Sequence, residues 1–317
     1  MYPRQEGGKK MNYEVVVGFS VNPEISWTKV PAFRAGQKLS AQAEVAISGT
    51  SLDVCLGVQA CGSRPLLIGA VGLNDPFNMV IEVGLQKQDI AHLLLPVRKR
   101  TCLASIEPET ERHLSFKPPV VKVEPAIVES ALKNAKPEFQ VVTGLMSDRN
   151  EIALAETLLA NGYGIKVLNP REALTADKKT FERVAALADW LFLNRFEAAA
   201  YLDCQPNELT LESLKSFLAL GVKKVIVTCD GDGALAADCN GWSVQMPSFH
   251  FGEKVGDKGA GDCLLGFYLG SLIKGYCLND AFQLAIIAAG IKVTRPGTTN
   301  IPSFKEVLAQ VALKEVG

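Results

Sequence analysis

The sequence predicts an α/β protein with a mainly parallel sheet covered on both faces, and three observations carry that reading. Short apolar runs, often β-branched, alternate with longer helical patterns. The runs are apolar at consecutive positions, as strands buried on both faces require. A composition of 48% hydrophobic and 21% charged residues is enough for a large core and lies far from the disordered class.

The strand-like runs are Glu14 to Phe19, Pro65 to Ala70, Phe139 to Thr143, Ile165 to Leu168, Trp190 to Leu193 and Lys224 to Thr228. Between them, Ser51 to Cys61, Glu124 to Lys133, Arg149 to Leu159 and Lys178 to Leu187 carry the helical spacing. Two stretches break the rhythm, Trp27 to Ile47 and Arg100 to Phe116, where alternating patterns follow one another with no helix between. They predict a small accessory sheet placed as a lid over the carboxyl ends of the main strands, where ligands of open α/β sheets bind. No internal repeat or linker divides the chain. The expected organisation is a polar tail over 1–12, which has no apolar signal core, and one folded unit over 13–317.

Charge and cysteine usage narrow the function classes. Lysine and arginine number 33 against 34 acidic residues, a formal charge of −1, so no basic field invites nucleic acid. Eight cysteines, none in a C-x-x-C pair, read as reduced thiols of a cytoplasmic protein, and the three histidines show no zinc spacing. The apolar run Cys263 to Ile273 is shorter than the roughly 18 residues that suggest a membrane span.

The strongest local signal is Val255-Gly256-Asp257-Lys258-Gly259-Ala260-Gly261-Asp262, a glycine loop opening an apolar helix. Gly259 and Gly261 let the backbone approach a ligand, and the free N–H groups of the first helical turn favour an anion such as a phosphoryl group. Asp262 has two readings from residue type alone: a cap for those N–H groups, or a base beside a transferred phosphate. Asn194 and Glu197 likewise read as a helix start with a capping box.

The G-A-G-D at Gly259 to Asp262 resembles the second signature of the PfkB/ribokinase family of carbohydrate kinases. Other landmarks follow the family order: Asn194-Arg195-Phe196-Glu197 resembles its N-x-x-E motif, and VIVTCDGDGA at Val225 to Ala234 its nucleotide-side strand and turn. Leu168 to Leu174 resembles N-P-R-x-x-L, and Ala288 to Pro302 the segment that closes over adenine. Ser20 to Ser26 and Ser48 to Val54 resemble the T-L-N-P-A-I-D and G-G-K-G-I-N-V stretches of the 1-phosphofructokinase and tagatose-6-phosphate kinase branch.

The resemblance implies a ribokinase-like three-layer α/β/α sandwich with a β-lid and a kinase that transfers the γ-phosphoryl group of ATP to a hydroxyl of a sugar or related small molecule. It implies Asp262 as catalytic base with Gly259, Ala260 and Gly261 as the N–H cradle. It places Asn194, Thr228, Gly231, Gly233, Lys258 and Gly297 at the nucleotide, and Ser26, Gly49, Thr50, Asp53 and Arg100 at the acceptor. Glu197 falls to Mg²⁺, with Asp257, which departs from the family pattern, as a further acidic group that can help hold it, and a homodimer through the lid is one arrangement the resemblance allows. A catalytically weak sensor or scaffold, or a nucleoside or vitamin kinase, fits the same fold.

Three departures stand out. Gly256 and Asp257 occupy the positions of the family's Asp-Thr, in a loop that often supports a monovalent cation, so that requirement is left open. Ser26, Thr50 and Asp53 stand where the branch has aspartate, lysine and asparagine, which leaves the sugar side more altered than the phosphoryl-transfer side. Asp230 replaces the usual glycine after the nucleotide threonine.

Overall fold

The computed structural model describes residues 12–28, 42–97, 101, 103–107, 112–116, 125–145, 149–160 and 163–315. In chain order, β1 (Val15–Phe19) leads through Ser20 and Val21 to β2 (Asn22–Thr28), β3 (Gln42–Ser48), α1 (Thr50–Ala60), β4 (Pro65–Gly72), α2 (Phe77–Lys87) and β5 (Ala91–Val97). Then come β6 (Leu103–Glu107), β7 (Arg112–Phe116), α3 (Pro125–Ala135), β8 (Phe139–Leu145), α4 (Arg149–Ala160), β9 (Ile165–Pro170), α5 (Glu172–Thr175) and α6 (Lys178–Ala185). The last third holds β10 (Trp190–Asn194), α7 (Arg195–Leu202), α8 (Leu214–Leu218), β11 (Lys224–Thr228), β12 (Ala234–Asp238), β13 (Ser243–Met246), α9 (Ala260–Ile273), α10 (Leu278–Lys292) and α11 (Phe304–Glu315).

Nine strands form the main sheet in the order β13-β12-β11-β10-β9-β8-β1-β4-β5. All pairs are parallel except β11 with β12 and β12 with β13. The apolar runs explain the two-faced burial: along β1, Val15 and Val17 enter one core and Val16 the other. The first core is filled by α1, α9 and α10, the second by α3, α4 and α6.

The α1–α9 crossing positions the site. A Cβ at Gly266 would stand 2.4 Å from the Val54 carbonyl oxygen, and one at Gly57 would stand 2.9 Å from Gly266 Cα. Only glycines allow so close an approach, and a side chain forced in costs about 1–3 kcal/mol by overpacking. That contact brings Asp53, on the first turns of α1, against the start of α9.

The two helix-free stretches form a second sheet in the order β3-β2-β6-β7. It opens earlier than the expected Trp27, at Asn22, because β2 pairs with β3 in register from Asn22↔Ser48 to Thr28↔Gln42. The stretch resembling T-L-N-P-A-I-D thus runs from the link after β1 through this smaller sheet. The sequence patterns do not predict β5 or the β12–β13 hairpin, because Ala91–Val97 contains a proline and Ser243–Met246 is only four residues long.

Candidate active site

The parallel strands end on one side, and there Asn194, at the end of β10, is the register partner of Thr228, at the end of β11. Between these ends and the start of α9 lies a cavity of about 550 Å³. Asn194, Glu197, Thr228, Gly231 and Gly233 line one side of it, and Asp257, Gly259, Ala260, Gly261 and Asp262 the other. Ten of the residues expected from sequence therefore share one space.

Gly259 caps α9 in the left-handed region, φ 78°, and a Cβ there would stand 3.0 Å from Asp53 Oδ2. Both conformation and space demand glycine. Gly261 differs: a Cβ would meet nothing closer than Thr228 Oγ1 at 3.9 Å, an ordinary contact. Its bareness leaves room in the cavity, beside the free N–H groups of a helix start that attract an anion. Gly231 is similar, with nothing within 4 Å. Gly233 has a structural reason, since a Cβ would lie 2.1 Å from the Met246 carbonyl oxygen.

Asp262 faces the cavity from the first turn of α9. Burial raises its carboxyl to about pKa 6, while the nearby Arg171 cation pulls it down. Glu197, 3% exposed, is raised to about 7, chiefly by burial. The Asn194 N–H and Arg171 oppose that rise, and Asp262 adds to it. The capping box is present: Glu197 N–H donates to Asn194 Oδ1 at 2.9 Å, and Asn194 N–H donates to Glu197 Oε2 at 2.8 Å. Capping and facing the cavity are compatible, because the box fixes the carboxylate at the wall.

A hydrated Mg²⁺ fits the chemistry of this wall. Two enclosed carboxylates, Asp262 and Glu197, destabilise each other's charge, which a divalent cation would relieve. Asp257, on the rim, is ion-paired with Lys254 at 2.6 Å. Among the described residues, no three His, Cys, Asp or Glu side chains are grouped to hold a metal directly.

The remaining expected residues lie elsewhere. Lys258 does not line the cavity; its Nζ donates to Glu24 Oε2 of β2 at 2.7 Å, joining the glycine loop to the smaller sheet. Gly297 also lies off the cavity wall, φ 71°, and its carbonyl accepts from Lys292 Nζ at 2.6 Å. From the segment expected over adenine, Ala289, Gly290 and Val293 line the cavity instead. Ser26 Oγ donates to Glu24 Oε1 at 3.4 Å. Gly49, φ 132°, turns the chain into α1 where a Cβ would strike the Ser20 carbonyl. Thr50 Oγ1 donates to Thr143 Oγ1 at 3.0 Å, within a buried hydroxyl network that includes Ser51. Asp53 is 2% exposed, and its Oδ1 has no hydrogen-bond partner. Burial, then Asp262, pushes its carboxyl well above the ordinary range against the pull of Lys292 and Lys258. Arg100 lies outside the described residues.

Asp230 keeps a left-handed backbone, φ 50°, that glycine would take freely. The turn is tied to α7 by Arg195, 2.5 Å from Asp232 and 3.9 Å from Asp230. Arg171, Lys292 and Glu24 also belong to this neighbourhood, and the sequence motifs do not single them out as site residues. Arg171 was visible as the arginine of the N-P-R stretch. Lys292 left a subtler signal, a lone lysine in the apolar run of α10, since lysine is almost never fully buried without a partner.

A parallel sheet with a glycine turn at a helix N-terminus and an acidic group beside it defines an α/β protein whose site is suited to an anion such as a phosphoryl group. The chain matches the pfkB family of carbohydrate kinases over residues 29–304 and belongs to that family. It is 31% identical over 172 residues to a ribokinase of Schizosaccharomyces pombe, an alignment that spans 52% of each chain. The chain thus spans about half the length of that curated relative. Its fold is that of a putative ribokinase II of E. coli solved with ATP and Mg²⁺: TM-score 0.77, 20% identity, 95% of this chain and 99% of that one. It also matches phosphofructokinase-2 of Escherichia coli in complex with potassium: TM-score 0.76, 14% identity, 94% and 98% covered. Among the described residues, no helix is long and apolar enough to cross a membrane.

Proposed function

We propose that the protein is an ATP-dependent kinase that transfers a γ-phosphoryl group to a hydroxyl of a sugar or related small molecule. The observation that carries this reading is the Gly259–Gly261 cradle with Asp262 beside it, facing a cavity that also gathers Asn194, Glu197 and Thr228. The N–H groups of Gly259 and Gly261 stabilise charge developing on the transferred group, and Asp262 accepts the acceptor's hydroxyl proton. The Ala260 N–H, expected beside them, instead donates to the Asp257 carbonyl at 3.0 Å and closes the loop. Asn194, Thr228, Gly231 and Gly233 hold the nucleotide. Mg²⁺, when bound, would neutralise phosphate charge; Glu197 would order its water, and Asp257 is a further acidic group at the rim of the same cavity.

The acceptor lies across Gly259 from the nucleotide, near Asp53 and Ser26 and under the smaller sheet, which closes as a lid and excludes water. Gly49 and Thr50 support that side by fixing the start of α1. Lys258 and Gly297 act by shaping the loop and its backing. The half-exposed Trp27 and exposed Val45 of the smaller sheet support pairing of two copies there. Described cysteines that are all free thiols, four of them buried, suit a cytoplasmic setting.

A panel of sugars, phosphosugars, nucleosides and pyridoxal-type alcohols, assayed for ADP release with Mg-ATP, tests the reading. At least one acceptor should raise ADP release well above the acceptor-free rate. ATP binding with no turnover on any class would favour a sensor.

A further inference from the structure

Behind the cradle, on the side away from the cavity, sits a buried ammonium. Lys292 ends α10, is 1% exposed, and donates from Nζ to the Gly297 carbonyl at 2.6 Å. The groups that face it are the Asp53 carboxyl, the Cys263 thiol and Arg295: burial lowers the Lys292 amine from its ordinary value, Asp53 and Cys263 hold it up against that, and Arg295 adds to the lowering. The turn after α10 folds back over it, and Thr298, 4% exposed, would stand 3.6 Å from a Cβ at Gly259. The next residue holds the glycine loop from the same point: the Val293 carbonyl accepts from Val255 N–H at 2.8 Å and Gly256 N–H at 3.1 Å. Asp53, with Oδ1 unpartnered and Oδ2 packed on Gly259, completes the arrangement.

A buried carboxyl whose Oδ1 has no partner and a turn carbonyl behind an anion cradle call for a cation, because both turn oxygen lone pairs toward the place where the N–H groups meet a phosphate. A dissolved monovalent ion can fill that need. Here Gly256 has no side chain to hold one, and the Gly297 carbonyl is already taken by Lys292.

We propose that Lys292 is a positioning residue that serves as the covalently tethered cation of this loop, so that the site needs no dissolved monovalent cation. Its ammonium fixes the 295–298 turn that backs Gly259 and balances Asp53, so the cradle is set before nucleotide arrives. The catalytic consequence rests on the proposed kinase activity, but nucleotide binding and melting do not.

The test is calorimetric titration with Mg-ADP, together with melting curves, in KCl and in tetramethylammonium chloride at equal ionic strength. Wild type should show the same affinity in both salts. Lys292→Gln keeps a donor for Gly297 but loses the charge; its affinity should fall by about tenfold in tetramethylammonium and recover with KCl or ethylammonium. Lys292→Arg should retain salt independence. A wild-type affinity that rises more than about threefold with KCl would overturn the proposal, as would a Lys292→Gln protein that matches wild type or weakens without rescue by either cation. If Lys292→Gln fails to fold, the wild-type comparison and Lys292→Arg still decide. If no acceptor is ever phosphorylated, these readouts remain, so the two failures are distinguishable.

Discussion

The two sides of Gly259 are built on opposite principles. On the cavity side, backbone N–H groups and two bare glycines leave space, and the side chains at the wall are held in place by local capping. On the other side, Asp53, Glu24, Lys258 and Lys292 fill a dense cluster of ionisable groups, and the Thr50 hydroxyl is used in a network with Thr143. One side is shaped for a phosphate that any kinase of this kind must bind. On the other side, positions 26, 50 and 53 depart from the family pattern, and the proposed function puts the acceptor there.

The comparison breaks first at Asp262. Asparagine cannot accept the hydroxyl proton, so Asp262→Asn should lower kcat by about 10²- to 10⁴-fold with Mg-ADP affinity and melting temperature unchanged. Retention of more than about a tenth of wild-type kcat would make Asp262 a helix cap only.

The acceptor side predicts poor use of phosphosugars. Serine, threonine and aspartate at 26, 50 and 53 offer no cation for a substrate phosphate. Each mismatch costs about 1–3 kcal/mol, so kcat/KM on fructose 6-phosphate, fructose 1-phosphate and tagatose 6-phosphate should lie well below that on a neutral or cationic acceptor. A kcat/KM above about 10⁴ M⁻¹s⁻¹ on any of them would show that another cation supplies the charge.

A smaller effect sharpens the cavity side. Glu197→Gln keeps an acceptor for the Asn194 N–H but removes a charge that orders hydrated Mg²⁺. The Mg²⁺ concentration for half-maximal rate should rise by about three- to tenfold; an unchanged titration would leave Glu197 with capping alone.

The smallest effect is on pH. The Asp262 carboxyl is raised to about 6, chiefly by burial, so its basic form is lost as pH falls through that value and kcat/KM should fall with it. Arg171 opposes the rise. Arg171→Gln should therefore move the acidic limb to higher pH, while a limb that moves lower or stays would remove Arg171 from the site's electrostatics.

Much of the cavity side was legible in sequence because it is local. A strand end, a cap and a glycine turn are written within a few residues, as at Asn194 to Glu197 and Gly256 to Asp262. The six strand-like runs reappear as strands for the same reason, each shifted by two residues or fewer. The charged cluster was illegible because its partners are distant: Glu24 and Lys258 are 234 positions apart. Asp53 reaches Gly259 only through the Gly57–Gly266 crossing, and nothing in 48–54 announces that contact. Lys292 and Gly297 are close in sequence, yet their pairing depends on how the turn folds back.

The most direct measurement is a single turnover of ATP labelled in the γ-phosphoryl group, with enzyme in excess and the best acceptor from the panel present. Label should appear on the acceptor hydroxyl with little in free phosphate, and Asp262→Asn should lose that transfer while still binding the nucleotide. Label released to water at the same rate with and without acceptor, or transfer that persists in Asp262→Asn, would contradict a kinase built around that aspartate.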